Sequence, residues 1–239
     1  MESGTPDPEG TSPLIGSRRG WSLKQRLQAP DSYGLLLVLI LVSVLVEAVS
    51  DEHAWERALT IALLGVTLLF ALRTSRAGSR LFRATEILVP LVMLLALVSL
   101  GAGDVRAVKI LSNVIAALLA FAVPAAIVHR LAKHPVVSGT TILGALCVYV
   151  LIGLFFASVY STIAVVQAQP FFAQPGPVAR IDYLYFSYVT LATLGYGDLT
   201  PAADLSRMLA VTEALTGQLY LVTVVALLVS NVGRRRSKD

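Results

Sequence analysis

The sequence predicts an all-α membrane protein with six transmembrane helices, and a re-entrant helix and irregular loop between the last two. Three observations carry this. The chain of 239 residues is 56% hydrophobic and 14% charged, with mean hydropathy +0.74, more apolar sequence than a water-soluble domain of that size buries. Apolar runs long enough to form membrane helices recur along it. Its basic residues collect on alternate connections between those runs, as the positive-inside rule requires.

Residues 1–20 are rich in Gly, Pro, Ser and Thr and lack the apolar centre of a signal peptide, which predicts that they are disordered, the first part of a cytosolic tail over 1–32. Within it, WSLKQRLQ at 21–28 sets Trp21, Leu23 and Leu27 among Lys24 and Arg26, a pattern that suits either a short interfacial helix or a solvated basic linker. Spans are expected at 33–49, 58–72, 87–100, 108–131, 137–165 and 205–232, since about 20 apolar residues cross the hydrocarbon core. The second and third are short and need snorkelling flanks or a thinned bilayer. Pro124 is expected to kink the fourth.

With the N-terminus inside, fourteen of the 19 Lys and Arg fall on the cytosolic side. They form clusters at 18–26, 73–83, 130–133 and 234–238. Arg57, Arg106, Lys109, Arg180 and Arg207 fall outside, together with Asp51, Glu52, Glu56, Asp104, Asp182, Asp198 and Asp204. Five or seven spans would separate the 73–83 cluster from the C-terminal RRR, so six spans with both termini cytosolic fit the charge rule. The net charge of +4 reflects this sidedness rather than affinity for nucleic acid. The single cysteine, Cys147, lies in an apolar run; it excludes an intrachain disulfide and reads as a small lipid- or helix-facing residue.

Between the last two spans, residues 182–193 are apolar and aromatic but too short to cross, so a re-entrant helix is expected, capped by Asp182. The chain must return through irregular backbone, which is tolerated at membrane depth only where it is buried in protein or lines a water-filled path. That argues for a pore. In the returning stretch, Gly195 and Gly197 permit backbone conformations that let consecutive carbonyls face one axis. Four copies would stack rings of carbonyl oxygens above a ring of Thr193 hydroxyls, replacing the hydration shell of K+. One such segment per chain means a homotetramer. Tyr196 is expected to point away from the axis, braced by Tyr185, Phe186 and Tyr188. Read alone, GYG also fits an exposed turn among interfacial aromatics; the flanking spans and charge asymmetry weigh against this.

The segment TLATLGYGD at 190–198 resembles the signature of the potassium channel family, whose usual filter reads TVGYGD. The resemblance covers 140–232 and is that of a six-span, bacterial-type member without a recognisable voltage sensor. It implies a selectivity filter of Thr193, Leu194, Gly195, Tyr196 and Gly197, with K+ held by backbone carbonyls of Thr193, Leu194, Gly195 and Tyr196 and by the Thr193 hydroxyl. Filter support falls to Thr190, Asp198, Tyr185, Phe186 and Glu213. Gly217 lies where the family has its inner-helix hinge, though it also suits close packing on the pore helix. Gln218, Leu221, Val222, Val225 and Val229 are expected to face the axis, and a narrowing at Val225 or Val229 would gate it. Two departures stand out. Leu194 replaces the usual Val, with consequences for inactivation and ion selectivity. Val189 stands where the simplest bacterial members carry a buried Glu; Glu213 is placed to supply a carboxylate near Thr190 or Ser187, in conduction or gating or as a structural bond to a neighbouring subunit.

The expected domains are thus the tail, a four-helix membrane domain over 33–134, a pore domain over 135–232 and a basic cytosolic tail over 233–239. The fourth span carries only Arg106 and Lys109 at its outer end, too few charges for steep voltage gating at about 2.3 kcal/mol per charge per 100 mV. Arg73, Arg76, Arg80 and Arg83 lie in a polar connection that reads as a lipid-contacting segment. His53, His129 and His134 have no ligand arrangement around them, and no nucleophile–base pair or phosphate loop is evident, so no enzyme, organic cofactor or small-molecule substrate is expected. The partners are other copies of the chain and membrane lipids, in a cell membrane of bacterial plasma-membrane type. The expected function is passive, potassium-selective conduction. A non-selective cation channel and a non-conducting regulatory or scaffold subunit are the alternatives.

Overall fold

A computed structural model describes residues 32–49, 54–75, 106–133, 139–167 and 169–236. Among them the chain forms six helices: α1 (Ser32–Val49), α2 (Ala54–Ser75), α3 (Arg106–Lys133), α4 (Gly139–Val166), α5 (Arg180–Leu191) and α6 (Asp204–Arg236). They cover every expected span but the third, 87–100, which lies outside the described residues, as do the segment at 21–28 and Arg76, Arg80 and Arg83. Two described stretches are long and apolar enough to cross a membrane, Arg106–Ala125 and Thr141–Val166, and two shorter apolar ones are Tyr33–Val49 and Ala58–Ala71. Helix α6 runs on to Arg236, past the expected boundary at 232. Helix α3 continues through Pro124.

Several hydroxyls inside the apolar helices satisfy themselves locally, though the buried Thr60 hydroxyl of α2 has no hydrogen-bond partner among the described residues. Ser43, Thr67, Ser158 and Thr162 each donate to the carbonyl four residues back, so none needs water where water is scarce. The buried stripe of α1, Tyr33, Leu36, Ile40, Ser43 and Glu47, follows the helical period. Its members Tyr33, Leu36 and Ile40 pack with Leu64 and Leu68 of α2, Leu119, Val123 and Ile127 of α3, and Cys147, Val148 and Leu151 of α4 in one apolar core. Cys147 faces α1, its thiol 3.8 Å from the Tyr33 carbonyl, which makes it a helix-facing residue.

Two polar links register α3 against α4. Asn113 donates to Ser161 at 2.9 Å. The Arg106 guanidinium donates to the carbonyls of Val165 and Val166 at 3.0 and 2.9 Å, filling acceptors that the C-terminus of α4 leaves open and placing a cation at the negative helix end.

Candidate functional site

Helix α5 is short because its sequence starts and stops it. Asp182 sits in its first turn, and its carboxylate accepts the Ala179 N–H at 2.8 Å, a cap delivered from inside the helix. At the other end Leu194 N–H reaches the Val189 carbonyl at 2.9 Å, and Thr193 N–H reaches that of Thr190 at 3.0 Å. This six-to-one and five-to-two pair is a Schellman termination, which needs a left-handed residue between the bonds. Thr193 is that residue, with φ +55°. It therefore begins the loop, as the first residue of the expected returning stretch, while the helix itself ends at Leu191.

From there positive φ recurs at every second residue, +59° at Gly195 and +80° at Gly197, with Leu194 and Tyr196 between them on the negative side. Two of these positions are glycines, which adopt left-handed geometry without steric cost. Leu194 and Tyr196 are 56% and 66% exposed, so a single chain leaves the loop largely uncovered.

Behind the loop, Tyr185 stacks on Tyr196 with ring centroids 6.4 Å apart and planes 14° from parallel. Its hydroxyl donates to Asp198 Oδ2 at 2.7 Å. That bond holds the phenol's proton and pushes Tyr185 up to about 12. Phe186 and Tyr188, expected beside Tyr196, face elsewhere within the chain. Phe186 joins Tyr160, Phe171 and Phe172 in an aromatic cluster, and the Tyr188 hydroxyl donates to the Val150 carbonyl of α4. For Phe186 the reason is helical rotation: one residue along α5 turns a side chain about 100° away from the face that Tyr185 occupies, whereas Tyr188, three residues on, is held toward α4 by its bond to Val150.

Glu213 is fully buried and meets α5 at Ser187, not Thr190. Ser187 Oγ lies 2.5 Å from Glu213 Oε1, and the Tyr160 hydroxyl donates to Glu213 Oε2 at 2.5 Å. These partners belong to the same chain, so the carboxyl is engaged without a neighbouring subunit. Gly217 abuts the end of α5, where a Cβ would lie 2.5 Å from the Leu191 carbonyl oxygen. Gln218 Nε2 lies 3.4 Å from Thr193 Oγ1. Gln218, Leu221 and Val222 are exposed in the single chain, while the side chains of Val225 and Val229 lie outside the described residues.

Sequence reasoning missed three supports. Arg180, at the first position of α5, forms a buried ion pair with Glu47 of α1. The connection after α4 clasps the segment after the loop: Phe172 bridges Pro201, Ala173 N–H donates to the Thr200 carbonyl at 2.8 Å, and Gln174 bonds both the N–H and hydroxyl of Thr200. Tyr160, the third member of the Glu213 cluster, was also missed. Only the first left a trace, an acidic residue inside an apolar run.

Residues 144–234 match the family described as "Ion channel". The chain is 36% identical over 69 residues to "Two pore potassium channel b" of Oryza sativa subsp. japonica, an alignment covering 28% of this chain and 20% of that protein. It is 46% identical over 52 residues to "Two pore potassium channel a" of the same plant, covering 22% and 14%. To "Two-pore potassium channel 4" of Arabidopsis thaliana it is 36% identical over 52 residues, covering 22% and 18%. The chain thus spans 20% or less of the length of these relatives. No solved structure matches it. Residues 144–234 are thus similar to ion channel domains, and part of the chain is similar to plant two-pore potassium channels.

Proposed function

We propose that four copies of this chain form a passive, potassium-selective pore, each contributing six spans with both termini cytosolic in a plasma membrane of bacterial type. The observation that carries this reading is the alternation of φ at Thr193, Gly195 and Gly197, at the end of a helix of 12 residues. Alternating left- and right-handed residues turn successive peptide planes in opposite senses, which favours carbonyls on one side. Four such loops supply carbonyls of Thr193, Leu194, Gly195 and Tyr196, and the Thr193 hydroxyl, as substitutes for water around K+.

The supporting parts take roles in that scheme. Tyr185 and Asp198 brace the loop from outside, Thr190 and Phe186 anchor α5, and Glu213 ties α5 to α6. Leu205, Met208, Val211, Leu215 and Leu219 of α6 are each more than half exposed in a single chain. Their spacing of three to four residues makes one apolar face, which neighbouring copies and lipid would cover. Gln218, Leu221 and Val222 then line the path below the filter, and Val225 or Val229 closes it. Arg106 is committed to the α4 carbonyls, which supports a pore with little voltage dependence. No catalytic activity is part of this reading.

The test is reconstitution of the full chain into liposomes with a potassium gradient. Potassium-selective, barium-sensitive flux, lost in Gly195→Ala or Tyr196→Ala tetramers that still assemble, is the expected result. Equal flux of sodium and potassium favours a non-selective cation pore. Absence of flux across pH, voltage and lipid composition favours a non-conducting subunit.

A further inference from the structure

The buried cluster behind the filter contains a proton count that does not close with an ionised carboxylate. Ser187 Oγ has one hydrogen, yet it lies 2.8 Å from the Gly153 carbonyl oxygen and 2.5 Å from Glu213 Oε1. The carbonyl only accepts, and a carboxylate only accepts. With Glu213 ionised, one of the two contacts presses two oxygens together with no proton between them. With Glu213 neutral, each contact has one: Glu213 donates to Ser187, Ser187 donates to Gly153, and Tyr160 donates to the other carboxyl oxygen.

The surrounding charges agree. Among the described residues, Tyr149 and Tyr160 of α4 and Tyr188 of α5 lie in the field of Glu213, and none of these is a cation. On α6 itself, Arg207 is exposed near the helix start, donating to the Pro201 carbonyl and facing Asp204. A buried carboxylate without a positive partner is costly, and such a group stays neutral instead.

We propose that Glu213 is a neutral carboxylic acid whose proton, donated to Ser187, joins α4, α5 and α6 into one clamp that positions the pore helix. Glu213 is thus a positioning residue for conduction, in the sense that it acts through Ser187, two turns of α5 before the loop. This part rests on the pore reading; the protonation state does not. The neutral form makes the bonds, so the clamp is present at low pH and lost as pH rises and the proton leaves to water. Loss of the proton turns the Glu213–Ser187–Gly153 relay into two acceptors competing for one hydrogen, and frees the pore helix to shift.

The test uses the full chain in lipid vesicles. The infrared difference spectrum of wild type minus Glu213→Gln at about pH 7 is expected to show the carbonyl band of a protonated acid. In Ser187→Ala, which removes the acceptor, that band moves to higher frequency; this arm stands even if Glu213→Gln fails to fold. Carboxylate bands in place of the acid band overturn the proposal whether or not the chain conducts, so its failure is distinct from failure of the pore reading. Potassium flux through wild type is expected to fall severalfold, reversibly, from about pH 7 to about pH 10. Glu213→Gln, whose amide keeps one donor and one acceptor, stays flat. The Tyr185–Asp198 pair does not intrude, since the bond to Asp198 holds the phenol's proton and pushes Tyr185 up to about 12. The same pH dependence in both proteins overturns the coupling to conduction.

Discussion

Gly217 and the Leu191 carbonyl meet at the end of α5 with no room between them: a Cβ on Gly217 would lie 2.5 Å from that oxygen and 2.8 Å from Leu191 Cδ1. This favours close packing as the reason for glycine, because a backbone oxygen cannot swing aside. Gly217→Ala is expected to destabilise the fold by about 1–3 kcal/mol, the usual range for overpacking, seen as a lower midpoint in thermal unfolding. Leu191→Ala should not rescue it, since the backbone obstacle remains. A hinge role would instead leave stability unchanged and alter opening alone.

Tyr185 holds the loop in two ways at once, a ring stacked on Tyr196 and a hydroxyl on Asp198. Tyr185→Phe separates them, keeping the ring and removing the bond. The variant is expected to assemble normally and to pass potassium at first, with flux decaying faster than wild type as the loop loses its outer tether. Asp198→Asn, which weakens the same bond from the other side, should show the same decay. Combining the two should add little, because each already breaks the one interaction.

What the sequence made legible follows from what is local. The helices follow from unbroken apolar runs, and the loop from two glycines two residues apart, because both signals lie within one element. Within one chain Phe186 and Tyr188 face away from Tyr196, and a helix of 12 residues with aromatics on several faces has no clear polar side that would announce its rotation. The Glu47–Arg180 pair spans 133 residues of sequence and the Tyr160–Glu213 bond spans 53. No periodicity announces contacts at such separations. Ser187 was a candidate partner for Glu213 because both sit within a short reach of the filter motif. Thr193 in a left-handed conformation went unforeseen, since β-branched residues avoid it.

The Glu47–Arg180 ion pair fastens α1 to the start of α5, with side chains 9% and 10% exposed. Breaking a buried pair by removing one partner strands the other charge, at a cost of about 3–5 kcal/mol. Glu47→Ala and Arg180→Ala should therefore each lower thermal stability sharply. The double variant, with no stranded charge, should lose less than the sum of the two. Additive losses in such a cycle would mean that the pair is not a coupled contact.

Thr193 sits where a helix termination calls for glycine, at φ +55°. Left-handed geometry costs an L-residue about 1–2 kcal/mol. Strain of this kind persists where a side chain is needed, and the hydroxyl is what threonine offers here. Thr193→Gly removes both the strain and the hydroxyl, and is expected to stabilise the fold by about 1 kcal/mol while reducing potassium flux and barium block. Thr193→Ser keeps the hydroxyl and should keep both. If Thr193→Gly conducts and is blocked like wild type, the hydroxyl takes no part in holding the ion, and the inner end of the site is built from backbone alone.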